Sequence, residues 1–337
     1  MDFDLTDDQL ALREGAGDLL DDFASPARVR AHTTTDAPFD RALWAAMVDQ
    51  GWLGVEIDET AGGLGLGSVE VAVLVEELGR HAAPAPFVPA VLALDVFERA
   101  GEDEWVQRLL AGDALACVAW DPAAPVPYAP SADVAIVLAD DGVYAMEISS
   151  RPARQPAMDI TRELGWLQFD ASTARRIGDR DARTRLLDRG ATYTSADLLG
   201  SASRALDMAV EYAKDRVQFG RPIGSFQAVK HRCADMLVDV EGMRSTVYWA
   251  AWCIGAQDGD ASVAATTAKI WCGDASKRVM ASALQVHGGI GFTWEHDLHF
   301  FLKRSQLDQL AFGDASVHRE RLAALLRPRV EAGQSVV

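Results

Sequence analysis

Arg216, Gln218, Phe219 and Gly220 follow one another at the end of a long apolar-periodic stretch, and Gln285-Val286-His287-Gly288-Gly289 close another one further along. A guanidinium offers a planar fork to a pyrophosphate, a primary amide serves polar edges, and a phenyl ring offers a face for stacking. A Gly-Gly pair lets a ligand approach the backbone, whose N–H groups can receive an anion. Together these residue types suit a dinucleotide-like ligand. Taken singly, each has a plainer reading, because an Arg at a helix end followed by Phe-Gly also serves as a solvated C-terminus with a hydrophobic cap, and a Gly-Gly pair as a turn.

The remaining reactive side chains form no constellation. His287 has no second ligand at helical or hairpin spacing, so it reads as a packing or hydrogen-bonding residue, with His231, His296 and His299 structural or exposed. No metal site is expected. Cys117, Cys233, Cys253 and Cys272 are far apart and read as reduced thiols. The Asp7-Asp8, Asp21-Asp22 and Asp140-Asp141 pairs read as helix-end or turn carboxylates.

The 337 residues are 49% hydrophobic, enough for one large core or two to three smaller ones. With 32 Lys plus Arg against 50 Asp plus Glu, the net charge of −18 opposes binding to nucleic acid or anionic membrane. Any anionic ligand must then be met by a local site. The start, Met1-Asp2-Phe3-Asp4-Leu5, is acidic where a secretory signal is basic, and no apolar run approaches the roughly 20 residues that span a bilayer. A cytoplasmic protein is expected.

The elements that must position these residues read as helical, then β, then helical. Thr6 with Gln9 forms a capping-box pattern ahead of an apolar stripe, which predicts a helix over 6–24. Further helices are predicted over 40–50, 69–79 and 88–100. Between the second and third lies Thr60-Ala-Gly-Gly-Leu-Gly-Leu-Gly67, whose context lacks the strand, helix and acidic residue of a dinucleotide-binding glycine motif. From Ala114 to about Gly178, short β-prone runs at 115–119, 134–138 and 143–148 predict a small β domain. A basic linker follows at 175–185. The face set by Leu198, Ala202, Ala205, Leu206, Ala209 and Ala213 predicts a helix to about Val217, broken at Gly220-Arg-Pro-Ile-Gly224. Helices over 226–256, 260–287, 294–310 and 315–330 complete an antiparallel bundle. The expected domains are 1–113, 114–180 and 181–337.

Two segments carry a family resemblance. Tyr212-Ala-Lys-Asp-Arg-Val-Gln-Phe-Gly-Arg-Pro-Ile-Gly-Ser-Phe-Gln-Ala-Val-Lys-His-Arg-Cys-Ala-Asp-Met236 and Gln285-Val-His-Gly-Gly-Ile-Gly-Phe-Thr-Trp-Glu295 resemble, in order and spacing, the two C-terminal signatures of the acyl-CoA dehydrogenase family. Gly51-Trp-Leu-Gly-Val and Gly62-Gly-Leu-Gly-Leu-Gly resemble its N-terminal domain. The resemblance implies a mainly α, acyl-CoA dehydrogenase-like fold: an N-terminal helical domain, a truncated middle β domain and a C-terminal four-helix bundle. It also implies FAD, with Arg216, Gln218, Phe219, Gln227, Gln285, Val286, His287, Gly288 and Gly289 toward its ADP half, often the FAD of a neighbouring subunit.

The same resemblance marks two departures. Members abstract the substrate's α-proton with a glutamate in a Tyr-Glu-Gly-Thr stretch, but here that stretch is Leu310-Ala-Phe-Gly-Asp-Ala-Ser316, with Phe312 at the base position. The alternative position, early in the helix before the first signature, reads Asp188-Arg-Gly-Ala191. Asp314 is a weak candidate for the base and a better one for the N-cap of the last helix. In the β domain, Ala119-Trp-Asp-Pro-Ala-Ala-Pro125 keeps only a trace of the stretch that cradles the flavin ring, and a second such stretch is missing.

The losses fall on the flavin ring and the base, while the ADP-facing residues remain. The chain thus resembles the smaller, degenerate subunit of actinobacterial heteromeric (α2β2) acyl-CoA dehydrogenases, several of which act on steroid-derived CoA thioesters. The expected activity is α,β-dehydrogenation of an acyl-CoA, with a homologous subunit supplying the glutamate and an electron-transfer flavoprotein taking the electrons. The alternatives are a self-sufficient homotetrameric dehydrogenase with an atypical base and a non-catalytic scaffold member.

Overall fold

The first helix shows how local chemistry starts this chain. Thr6 Oγ1 accepts from the Gln9 N–H at 3.2 Å while the Gln9 side chain accepts from the Thr6 N–H at 3.0 Å, so α1 (Asp7–Phe23) opens on a complete capping box. The structure, a computed structural model, describes residues 4–335; Met1–Phe3 of the acidic start lie outside them. Then come α2 (Pro26–His32), α3 (Arg41–Asp49), α4 (Ser68–Arg80), α5 (Phe87–Ala100) and α6 (Asp103–Leu110). Neither α2 nor α6 is predicted from the sequence. Asp40 caps α3 through the Ala42 and Leu43 amides.

The middle segment holds β1 (Ala116–Ala119), β2 (Val126–Pro127), β3 (Val134–Ala139), β4 (Gly142–Glu147), β5 (Arg154–Gln155), β6 (Leu164–Gly165) and β7 (Arg175–Gly178). The larger sheet has the order β1-β3-β4-β7, with β1 and β3 parallel and the other pairs antiparallel. A smaller sheet has the order β2-β6-β5. The three predicted runs are β1, β3 and β4. The stretch read as a basic linker is instead β7 followed directly by α7 (Arg180–Asp215), because Asp179 caps that helix through the Ala182 amide.

After α7 come a two-stranded hairpin, β8 (Val217–Gln218) and β9 (Arg221–Pro222), then α8 (Gln227–Gly255), α9 (Ala261–His287), α10 (Leu298–Leu310) and α11 (Ala315–Glu331). The predicted break at Gly220–Gly224 is thus a paired turn. At 36 residues, α7 is the axis of the molecule: it packs on α4, α8, α9 and α10 and reaches the sheet at β4 and β7. One main apolar core runs from α1 through the sheet to α10, with Leu20, Leu74, Phe87, Phe97, Leu198 and Met243 deep inside. The chain is mainly α with a small β segment between two helical parts.

Candidate functional site

The last turn of α7 delivers the first group of predicted residues. Arg216 leaves the helix with extended backbone, its N–H donating to the Tyr212 carbonyl, and β8 and β9 then pair around Phe219 and Gly220. Both turn residues have positive φ, 53° and 78°, the pattern of a tight hairpin turn, so Phe219 bears a strained backbone. Phe219 is 92% exposed, and its ring packs edge-to-face with that of Phe226, centroids 6.1 Å apart. A strained, exposed aromatic adds little to the chain's own core. Gln227 opens α8 just beyond, also exposed.

The second group closes α9. Val286 and His287 are buried, Gln285 and Gly289 are exposed, and Gly288 turns the chain out of the helix at φ 62°. His287 stacks on Tyr212 with centroids 4.8 Å apart and meets His296 edge-on at 4.4 Å. Because Tyr212 and His287 sit in the last turns of α7 and α9, this stack brings both groups to one end of the bundle. His287 Nδ1 donates to the Ala283 carbonyl at 2.8 Å, and burial holds its pKa below the ordinary value, leaving a neutral packing ring.

What these residues leave free bears on whether a dinucleotide fits. The side chains of Arg216, Gln227 and Gln285 make no hydrogen bond or ion pair among the described residues, while the Gln218 amide donates to the Val217 carbonyl at 2.8 Å. A Cβ added to Gly288 or Gly289 would meet nothing within 4 Å. Gly289 therefore answers neither to a positive φ nor to crowding within the chain, which fits an approach from outside. A free guanidinium, two free amides, an exposed ring and bare backbone at one end match a pyrophosphate with its adenosine.

The two stretches in which the family resemblance seeks a base, Leu310–Ser316 and Asp188–Ala191, meet each other. The Phe312 ring lies on the backbone of α7 at Gly190, where an added Cβ would stand 2.2 Å from the ring carbons. Neither Phe312 nor Gly190 can remove a proton, and the Asp188 carboxylate of the same stretch is held by Arg321 and Ser262, both at 2.6 Å. Phe312 is buried at a left-handed φ of 56°, its carbonyl accepting from His318 Nε2 at 2.9 Å, and its ring faces Trp120 at 6.3 Å. Asp314, the weak candidate, caps α11: one carboxylate oxygen accepts from the Ser316 and Val317 amides, both at 2.9 Å. Those bonds hold its pKa below the usual carboxylate range, the wrong direction for a base.

Phe312 and Trp120 line an apolar cavity with Phe87, Leu92, Val118 and Tyr128. It measures about 70 Å³, whereas pockets for small ligands run to about 300–1,000 Å³. Its floor is ionic. Arg304 binds Asp197 through two bonds of 2.8 Å, Arg162 bridges Asp197 at 2.7 Å and also pairs with Asp308, and the buried Lys269 ammonium donates to the Asp308 carbonyl. Burial raises the Asp308 pKa to about 6 against the pull of Arg162, while Arg304 and Arg162 outweigh burial and depress that of Asp197. Both carboxylates are held by guanidinium groups. The sequence reading missed this network, whose members come from segments far apart in the chain.

Residues 6–114 match the family description "Acyl-CoA dehydrogenase, N-terminal domain" and residues 178–326 match "Acyl-CoA dehydrogenase, C-terminal domain". The chain is 34% identical over 323 residues to acyl-CoA dehydrogenase IpdE2 of Mycolicibacterium smegmatis, covering 95% of this chain and 99% of that one. The chain belongs to the acyl-CoA dehydrogenase family. Among solved structures it superposes on a chain of the ChsE4-ChsE5 complex from Mycobacterium tuberculosis with a TM-score of 0.86 at 29% identity, covering 97% of this chain and 99% of that one. A Tcur3481-Tcur3483 steroid ACAD variant gives a TM-score of 0.87 at 29% identity, with 96% and 99% covered. The two family matches flank the β segment, residues 115–177. No helix among the chain's described residues is long and apolar enough to cross a membrane, and no group of three His, Cys, Asp or Glu among them could hold a metal.

Proposed function

We propose that this chain is a subunit of a flavin-dependent acyl-CoA dehydrogenase that holds the ADP half of an FAD shared with a homologous partner chain. The observation that carries this reading is the contrast between the two ends of α7. At one end, polar side chains and bare glycines stand free; at the other, the usual base position holds a phenyl ring seated on Gly190. Arg216 would meet the pyrophosphate, Phe219 would offer its face to the adenine, and Gln218, Gln227 and Gln285 would serve polar edges, with the backbone at Gly288 and Gly289 closing on the phosphates. Bound FAD supplies the acceptor for a hydride from the substrate's β-carbon. The partner supplies the flavin-ring cradle and the glutamate that takes the α-proton.

The relatives support a substrate class: one solved neighbour is the ChsE4-ChsE5 complex, and another is a steroid ACAD variant. A bulky, steroid-derived acyl-CoA is therefore the proposed substrate, with an electron-transfer flavoprotein as electron acceptor. Co-expression with a homologous acyl-CoA dehydrogenase subunit from the same genome tests this. The two chains should copurify as a yellow α2β2 complex that oxidises acyl-CoA. Turnover and full flavin content in the chain purified alone would overturn it.

A further inference from the structure

The segment after Gly289 is held by bonds of its own, including His299 Nε2 to the Trp294 carbonyl at 3.3 Å and the Leu298 N–H to His296 Nδ1 at 3.2 Å, and by a second set of contacts from the N-terminal helices. Residues 293–297 link the short 3-10 turn Gly288–Phe292 to α10 with few backbone bonds of their own, and they are tied down from α2. Arg30 Nη1 donates to the Trp294 carbonyl at 2.6 Å, Nη2 donates to the Glu295 carbonyl at 3.3 Å and pairs with the Asp297 carboxylate, and the guanidinium carbon lies 5.3 Å from the centre of the Phe300 ring. The clamped segment carries His296, whose ring meets His287, the residue before Gly288. Trp294, stacked on His299 at 4.5 Å, is braced from the other side.

A planar fork with several N–H groups in fixed directions can hold two carbonyls and a carboxylate at once; an ammonium presents its charge at one point. We infer that Arg30 is a positioning residue for the nucleotide: from the N-terminal helices it fixes residues 294–297, and through His296 and His287 the bare backbone of Gly288 and Gly289. The inference rests on the reading that Gln285–Gly289 receive the ADP of FAD. It adds an N-terminal residue, remote in sequence from both signatures, to the machinery that holds the nucleotide.

The test uses the full chain, in the assembly in which it purifies, with FAD as the probe. Hydrogen exchange at the amides of 288–297 and the FAD dissociation constant are measured for wild type, Arg30→Ala, Arg30→Lys and, as a control on the handle itself, Arg216→Ala. Arg30→Ala should speed exchange across 288–297 and weaken FAD on the order of tenfold. Arg30→Lys, which keeps the charge opposite Asp297 but not the fork, should fall between. A merely structural arginine would lower thermal stability and leave FAD affinity alone. Unchanged exchange in Arg30→Ala overturns the clamp. Faster exchange with unchanged FAD affinity, while Arg216→Ala loses FAD, overturns the positioning role and leaves the nucleotide reading standing. If neither variant changes FAD affinity, the nucleotide reading fails and this inference with it. Should Arg30→Ala not fold, Asp297→Asn removes one charged contact and is read the same way.

Discussion

Phe312 is the residue on which the division between the two ends of α7 turns. Its ring fills the space over Gly190, so its removal leaves a void beneath Trp120, and Phe312→Ala should cost about 3–5 kcal/mol in denaturant unfolding. Gly190→Ala overpacks the same contact and should cost about 1–3 kcal/mol. Both variants should keep the flavin content of the complex, measured by absorbance; loss of flavin with a folded chain would place the ring system here. Asp314→Asn should leave turnover unchanged, because asparagine caps a helix as aspartate does, whereas Asp314→Ala should cost about 1 kcal/mol of stability. Since its folded pKa is depressed, the charged part of that cap is present above the ordinary carboxylate pKa and lost as pH falls through the lower folded value. A collapse of turnover in Asp314→Asn would return this residue to the mechanism.

At the scale of elements, α1 and α4 carry a pH dependence of their own. Glu77, on α4, is 7% exposed, and among the described residues its carboxyl takes no hydrogen bond and pairs with Arg80 alone, at 3.8 Å; burial raises its pKa to about 7, with Glu76 adding to the rise and Arg80, Arg13 and Arg244 opposing it. For an acid with a raised folded pKa the native state holds the proton longer, so its stability contribution is complete below pH about 4.5 and is lost as pH rises through about 7. Glu77→Gln should flatten the stability profile across that window, by on the order of 3 kcal/mol at most. An unchanged slope in urea titrations between pH 5 and 8 would sink this assignment.

Legibility in the sequence also varies by element. The ends of α7 and α9 were readable because Arg216–Gly220 and Gln285–Gly289 lie consecutively. The first half of α7 was not, because Asp188, Thr192, Thr194, Ser195 and Asp197 are all buried there, and a helix enclosed by neighbours shows no polar face. The two carboxylates are met across the fold, Asp197 by Arg162 and Arg304 and Asp188 by Arg321 and Ser262, while the Ser195 hydroxyl donates within the helix to the Ala191 carbonyl. The strand at Arg175–Gly178 was hidden by its exposed arginines, and the short helices α2 and α6 left too few turns for a periodicity. Phe312 at the base position was visible in the sequence; its seat on Gly190 needed the fold.

For the whole molecule, the free handle and the closed base site make sense together when a second polypeptide completes the pocket. Surface charge is consistent with selective rather than diffuse contacts, since a net −18 repels other anionic surfaces and, on the proposed reading, would leave the nucleotide's phosphates to Arg216 and the exposed amides. The most direct measurement is the number of FAD molecules per chain, by quantitative absorbance and native mass spectrometry, for this chain alone and co-expressed with a homologous acyl-CoA dehydrogenase subunit. The expected result is no retained FAD on the chain alone and one FAD for each pair of unlike chains, weakened by Arg216→Ala. One FAD on every copy of this chain purified by itself, with acyl-CoA oxidation, would contradict it.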